Sequence, residues 1–147
     1  MVKTCVDAAL GEMTYKHRWY KTQSESFFGK EYVIKIAAKA YSEKPITDEQ
    51  RDAYLQYTEK KDKSAKIVGE QLMQYVNANL QELAGEWVGA RRVENITDLA
   101  GIVTPKTLLF KQDGTTLLLL ECAWDLENGI AVKLSPEIMT GSQNLFL

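Results

Sequence analysis

The feature of this sequence that most constrains its fold is a change of hydrophobic period, from alternation to a helical stripe and back again. The stripe runs through the middle of the chain at three- and four-residue spacing and consists of Val68, Leu72, Tyr75, Val76, Leu80 and Leu83. On either side, apolar residues alternate with polar ones or form short blocks, as they do in strands. The chain therefore predicts strands, then helix, then strands.

The N-terminal region predicts a pair of antiparallel strands within about residues 12–41. Apolar and polar residues alternate from Met13 to Tyr20, so the first strand is expected to carry His17 on its apolar face. The polar residues 22–26 predict the turn. Residues 32–40 alternate again and predict the second strand of the pair.

A helical segment is predicted at about residues 48–84. Thr47 followed by Gln50 has the spacing of a capping box, and Gly85 falls where a helix-terminating glycine is common. The charged run Glu59–Lys63 allows either a break between two helices or one continuous helix. Its mixed signs are typical of a solvated helix end.

The C-terminal region, about residues 105–147, predicts a meander of strands. A tight turn at Asp113–Gly114 would place Phe110 opposite Leu117 and make both faces of the ribbon apolar. The run Leu117–Leu120 therefore predicts a central strand covered on both faces. The tail beyond residue 142 is expected to add a short edge strand.

Together these regions predict an α+β fold in a single domain spanning residues 1–147. The expected architecture is an antiparallel sheet of about five strands, made of an N-terminal hairpin and the C-terminal meander. One or two helices from the middle segment are expected to pack on one face of this sheet.

Composition excludes several classes of function. Lys+Arg 18 against Asp+Glu 20 gives a formal charge of -2 with both signs scattered, so nucleic acid is not expected as the partner. The N-terminus lacks the apolar core of a signal peptide, and no later run approaches the roughly 20 apolar residues of a membrane span. We therefore expect a cytoplasmic protein without a membrane partner. Cys5 and Cys122 are too few for a disulfide framework or a metal knuckle.

The search for catalytic motifs assigns no catalytic residue, metal ligand or cofactor. The chain lacks the spacings of dinucleotide-binding loops, phosphate-binding loops, zinc protease helices and nucleophile elbows. His17 is the sole histidine, and Cys122 lies in a predicted central strand where a thiol is usually inert. Chemistry that needs a histidine relay is therefore not expected.

One constellation places two carboxylates beside a large aromatic residue near the C-terminus. The candidate binding residues are Trp124, Asp125, Glu127 and Asn128. Paired acids are able to perform acid–base chemistry or bind a cation, although a calcium or magnesium site needs more oxygen ligands than this loop offers. The structural alternative is a polar loop that joins two strands.

Two registers are open for this loop. A tight turn at Asn128–Gly129 pairs Glu127 with Ile130 and mixes polar with apolar partners. A five-residue loop over Asp125–Gly129 pairs Trp124 with Ile130 and leaves one face uniformly apolar. We favour the wider loop, which displays the acids and buries the tryptophan.

Several of these stretches resemble a group of uncharacterised bacterial α+β domains. They are Phe28–Lys30 before a strand, Ile46–Gln50 at a helix start, and the pattern Cys-x-Trp-Asp-x-Glu-x-Gly-apolar within Cys122–Val132. The group typically has histidine where this chain has Asn128, a departure that argues against catalysis there. The resemblance implies a non-enzymatic binding module, and some similar small domains are thought to act as immunity proteins that neutralise bacterial toxins.

Two functional hypotheses follow. The leading one is a non-enzymatic cytoplasmic domain that binds another protein, with an immunity protein or toxin antagonist as its specific role. Its support includes 7 tyrosines and 3 tryptophans, residues enriched at interfaces. The alternative is a small metal-dependent or hydrolase-like enzyme that uses Asp125 and Glu127. The oligomeric state is left open.

Overall fold

A computed structural model describes residues 3–147, which form one sheet of eight strands in the order of the chain. The strands are β1 Lys3–Asp7, β2 Gly11–Tyr15, β3 Trp19–Phe27, β4 Lys30–Ala38, β5 Val103–Phe110, β6 Thr116–Cys122, β7 Asp125–Ser135 and β8 Met139–Ser142. Neighbouring strands are antiparallel except β4 and β5, which run parallel. The long connection over residues 39–102 makes the parallel pairing possible.

That connection contains helices α1 Asp48–Glu59, α2 Lys61–Ala78 and α3 Leu80–Leu83, followed by a 3₁₀ helix at Ile96–Gly101. The predicted capping box is confirmed, because the Thr47 hydroxyl accepts from Gln50 N at 3.1 Å and Gln50 Oε1 accepts from Thr47 N at 2.9 Å. The charged run contains a break at Lys60. Within residues 3–147, the helices are all too short or too polar to cross a membrane.

The predicted α+β fold, with about five antiparallel strands and helices on one face, is wrong. The observed sheet is larger and mixed, and it dominates the structure. The error in strand number arises mainly before residue 40, where four strands replace the predicted pair. Alternation alone gives the face of a residue but not the place where a strand reverses.

The β2–β3 and β3–β4 turns of the N-terminal region contain residues with left-handed backbone. His17 lies in the β2–β3 turn with a φ of 68°, and its side chain is exposed. The prediction that it lies on an apolar strand face is therefore wrong. Residues 22–26 belong to β3, and the chain reverses instead at Phe28 and Gly29, with φ of 57° and 75°. The polar composition of residues 22–26 therefore indicates strand positions, not a turn.

The prediction for Leu117–Leu120 is confirmed, because all four side chains are buried in β6 between β5 and β7. Leu118 and Leu120 join a large core cluster with helical residues such as Leu72. Leu117 and Leu119 face the other way. They belong to a smaller cluster on what is here called the second face of the sheet, with Ala37, Leu109 and Ala131.

The β5–β6 register and the position of the last strand differ from the prediction. Leu117 pairs with Leu109, not Phe110. The five residues 111–115 join β5 to β6, and the bond from Lys111 N to Thr115 O at 2.8 Å leaves three residues at the tip instead of the predicted two. The last edge strand is β8. The residues predicted to form it instead begin a 3₁₀ helix at Gln143–Leu145.

Candidate interaction site

The candidate loop lies on the β6–β7 hairpin, and both registers predicted for it are wrong. Cys122 pairs with Asp125 across a turn at Ala123 and Trp124, and the next pair is Leu120 with Ile130. One residue of β6 therefore stands opposite the four residues Leu126–Gly129 of β7. This segment is a bulge, which interrupts the ladder and redirects its side chains.

Trp124 anchors the base of the bulge. Its side chain is buried, with 9% of the residue exposed. Its ring stacks on Tyr75 of α2 at a centroid distance of 6.1 Å and meets Trp87 at 5.8 Å. Such aromatic pairs stabilise a packed site beyond the area they bury. Trp124 therefore supports the hairpin and offers little surface to a ligand.

Asp125 and Asn128 are brought together by hydrogen bonds, and Glu127 lies exposed beside them. Asp125 Oδ1 accepts from Asn128 N at 3.1 Å, and Oδ2 accepts from Asn128 Nδ2 at 3.3 Å. Both oxygens of this half-buried carboxylate are thus used inside the loop. Glu127 and Asn128 are exposed. The arrangement is a local turn of the kind that aspartate favours.

Gly129 closes the bulge in a position that only glycine fits. Its φ is 72°, and a Cβ there would lie 2.4 Å from Leu120 O and 2.6 Å from Gln143 Nε2. The Gln143 amide enters the gap and donates to Leu120 O at 3.0 Å and Ile130 O at 3.4 Å. Gln143 was missed from the sequence because no local pattern links it to a glycine fourteen residues earlier.

Leu126 is the most exposed apolar side chain of the bulge, at 83%. It borders a shallow cleft of about 250 Å³ whose polar walls include Lys106, Glu121 and Glu127. Lys106 Nζ and the Glu121 carboxylate form an ion pair at 3.3 Å. An apolar side chain therefore stands among charged groups on a braced loop.

The grouping of acidic, cysteine and histidine side chains bears on the metal-dependent alternative. Within residues 3–147, no three or more histidine, cysteine, aspartate or glutamate side chains are grouped so that they would hold a metal. Cys122 is buried, and burial raises the pKa of its thiol to about 11. The thiol is therefore protonated at neutral pH, as expected for a cysteine inside a strand.

These residues define a bulged hairpin, braced by aromatic contacts, within an eight-stranded mixed sheet. The chain belongs to the family described as Domain of unknown function (DUF6985), whose model matches residues 9–144. The match confirms the expectation that the chain is similar to an uncharacterised domain. No curated protein and no solved structure matches the chain.

Proposed function

We propose that this chain is a protein-binding domain whose contact surface is the acidic loop, defined as Asp125–Gly129. The observation that carries the proposal is the 83% exposure of Leu126 at the top of a fixed bulge. Protein interfaces commonly place an apolar anchor at the centre and polar groups at the rim. Glu127 and Asn128 would form such a rim.

The braced conformation of the loop supports this proposal. Trp124 holds one end through its aromatic contacts, and Gln143 holds the other through two hydrogen bonds. Asp125 fixes the tip through Asn128. A loop that is ordered before binding loses less conformational entropy on association, so more of the contact energy becomes affinity.

The chemistry of the loop indicates the kind of partner. Leu126 requires an apolar pocket, and the exposed carboxylate of Glu127 favours lysine or arginine at the edge of that pocket. The resemblance to bacterial domains supports a more specific role, in which the protein is a cytoplasmic immunity protein and the partner is a cationic toxin domain.

The test is co-purification of the tagged protein with the product of the adjacent gene, followed by measurement of the dissociation constant. Leu126→Asp is expected to weaken binding by about thirtyfold or more, the effect of losing one interface hot spot. Val88→Asp is the matched control, because Val88 is a fully exposed apolar residue on the connector before β5.

Both variants are expected to melt at the parent temperature, since each side chain is exposed. The proposal fails if the parent forms no complex. It fails equally if Leu126→Asp binds as tightly as Val88→Asp.

A further inference from the structure

A basic cleft lies on the second face of the sheet, beside the β2–β3 turn. Its volume is about 380 Å³, within the range of small-molecule sites. Five basic residues line it: Lys16, His17, Arg18, Lys35 and Lys39. Tyr20, Leu109 and Leu147 add one aromatic and two aliphatic surfaces, and none of the lining side chains is acidic.

The permanent cations of this cleft are not neutralised by the protein. In the part of the chain that the structure describes, Lys16, Arg18, Lys35 and Lys39 make no ion pair. Two of them lie over aromatic rings, Lys35 at 5.2 Å from the centroid of Tyr20 and Lys39 at 5.7 Å from that of Tyr41. Cation–π contacts orient a charge without cancelling it.

The charge of Arg18 is partly removed from solvent, which costs free energy. Its side chain is half-buried between the basic cleft and the cleft beside the acidic loop. Burial lowers the pKa of its guanidinium. An uncompensated charge in a desolvated position is costly, and a bound anion would remove that cost.

The spacing of the lysines indicates the shape of the anion. Lys35 and Lys39 are four residues apart on one side of β4 and its extension, which corresponds to roughly 13 Å along a strand. A single phosphate group would contact both ammonium groups only if the two side chains converged on it. A chain of linked phosphates has the necessary length and carries several charges.

We propose that the basic cleft binds a linear polyphosphate group, carried by a nucleoside triphosphate or present as free inorganic tripolyphosphate. Arg18 would contact the phosphates through its planar fork of donors, and the lysines would supply point charges along the chain. A nucleoside would place its base against the apolar surface of Tyr20 and Leu109. Arg18 also borders the cleft beside the acidic loop, so the two proposed surfaces adjoin at this residue.

The test is calorimetric titration of the full chain with tripolyphosphate, ATP, orthophosphate and citrate at about 50 mM salt. The double variant Lys35→Ala/Lys39→Ala is expected to weaken tripolyphosphate binding by about tenfold or more, because the complex would lose one charge-assisted hydrogen bond for each lysine removed. The control is Lys30→Ala/Lys66→Ala. It removes the same charge outside the cleft, and Lys30 also lies over a tyrosine, 5.7 Å from the ring of Tyr32.

Tripolyphosphate binding that is lost in the cleft variant and kept in the control supports the proposal, provided that both variants melt like the parent. Tighter binding of ATP would identify a nucleotide as the source, and equal binding would identify the phosphate chain itself. The proposal is overturned if no polyphosphate binds the parent, if both double variants lose affinity equally, or if orthophosphate or citrate binds as tightly as tripolyphosphate.

Discussion

Asp7 and Glu25 are carboxylates buried within the sheet, and both are tied to helices. Asp7 accepts from Arg51 Nη2 at 2.6 Å and from the backbone of Leu10 at 3.0 Å. Glu25 accepts from the Tyr57 hydroxyl at 2.7 Å and from Lys61 at 3.0 Å. Burial, followed by the nearby Glu25 carboxylate, raises the pKa of Tyr57. Buried charge is tolerated here because it is paired and hydrogen-bonded.

Replacement of Asp7 by asparagine should destabilise the protein in a pH-dependent way. Burial alone would raise the pKa of Asp7, but hydrogen bonds from Arg51, Leu10 and Ala9 outweigh it and hold that pKa below its ordinary value. The carboxylate therefore stabilises the fold above the unfolded pKa of about 4, and this contribution is lost as pH falls through the folded value. Asp7→Asn should cost about 1 to 3 kcal/mol at pH 7 and less at pH 3.

Urea unfolding at the two pH values measures this difference. Asp48→Asn is the control, because Asp48 also pairs with Arg51 but its side chain is exposed. An equal loss of stability by Asp7→Asn at pH 7 and pH 3 would show that the charge of Asp7 is unimportant.

At the scale of elements, the bulge on β7 depends on one glycine. Gly129→Ala forces a Cβ against Leu120 O and the Gln143 amide, in addition to the strain of a positive φ. Gly89 is a matched control, since its φ is 80° and a Cβ added there would have no neighbouring atom within 4 Å. We expect Gly89→Ala to cost only the left-handed penalty of about 1 to 2 kcal/mol. Gly129→Ala should cost clearly more.

Denaturant titration of both variants decides the point. Equal costs would mean that the Gln143 contact yields easily and that the loop is less firmly braced than the proposed function requires. A larger loss for Gly129→Ala, with weaker partner binding, would link the brace to recognition.

Elements set by local signals were predictable from the sequence, and those set by distant residues were not. The start of α1 follows from Thr47 and Gln50, which contact each other. The burial of Leu117–Leu120 follows from their uninterrupted apolar character. Asn128–Gly129 has the composition of a turn, yet it lies in a bulge that the remote Gln143 fills. The sequence therefore predicted that Asp125 and Glu127 lie between two strands, but it did not predict the bulge that contains them.

At the scale of the whole molecule, the sheet joins an N-terminal set of strands to a C-terminal set through β4 and β5. Lys35 to Ala38 pair in parallel with Thr107 to Phe110. No local sequence pattern predicts this junction. The composition of β4 and β5 is typical of interior strands, but it does not indicate which strand lies beside each of them. Packing of the complete sheet selects the pairing.

Amide hydrogen exchange should reveal this arrangement. We expect the slowest exchange in β4, β5 and β6, which are flanked by strands and carry fully buried side chains such as Ile36 and Leu118. Strand β1 should exchange fastest among the strands, because it lies at an edge and is largely exposed. Protection of β1 equal to that of β5 would contradict the expectation. Mass spectrometry of peptic fragments provides the measurement.

The parallel junction also has a kinetic consequence. Each antiparallel pair in the sheet joins consecutive strands through a short connection, so those hairpins are able to form early and independently. The β4–β5 pair requires residues 39–102 to close into a loop, and the entropy of that closure must be lost before the contacts compensate for it. Docking of the two hairpin sets is therefore expected to be the slow step of folding, with the helices organised only as the loop closes.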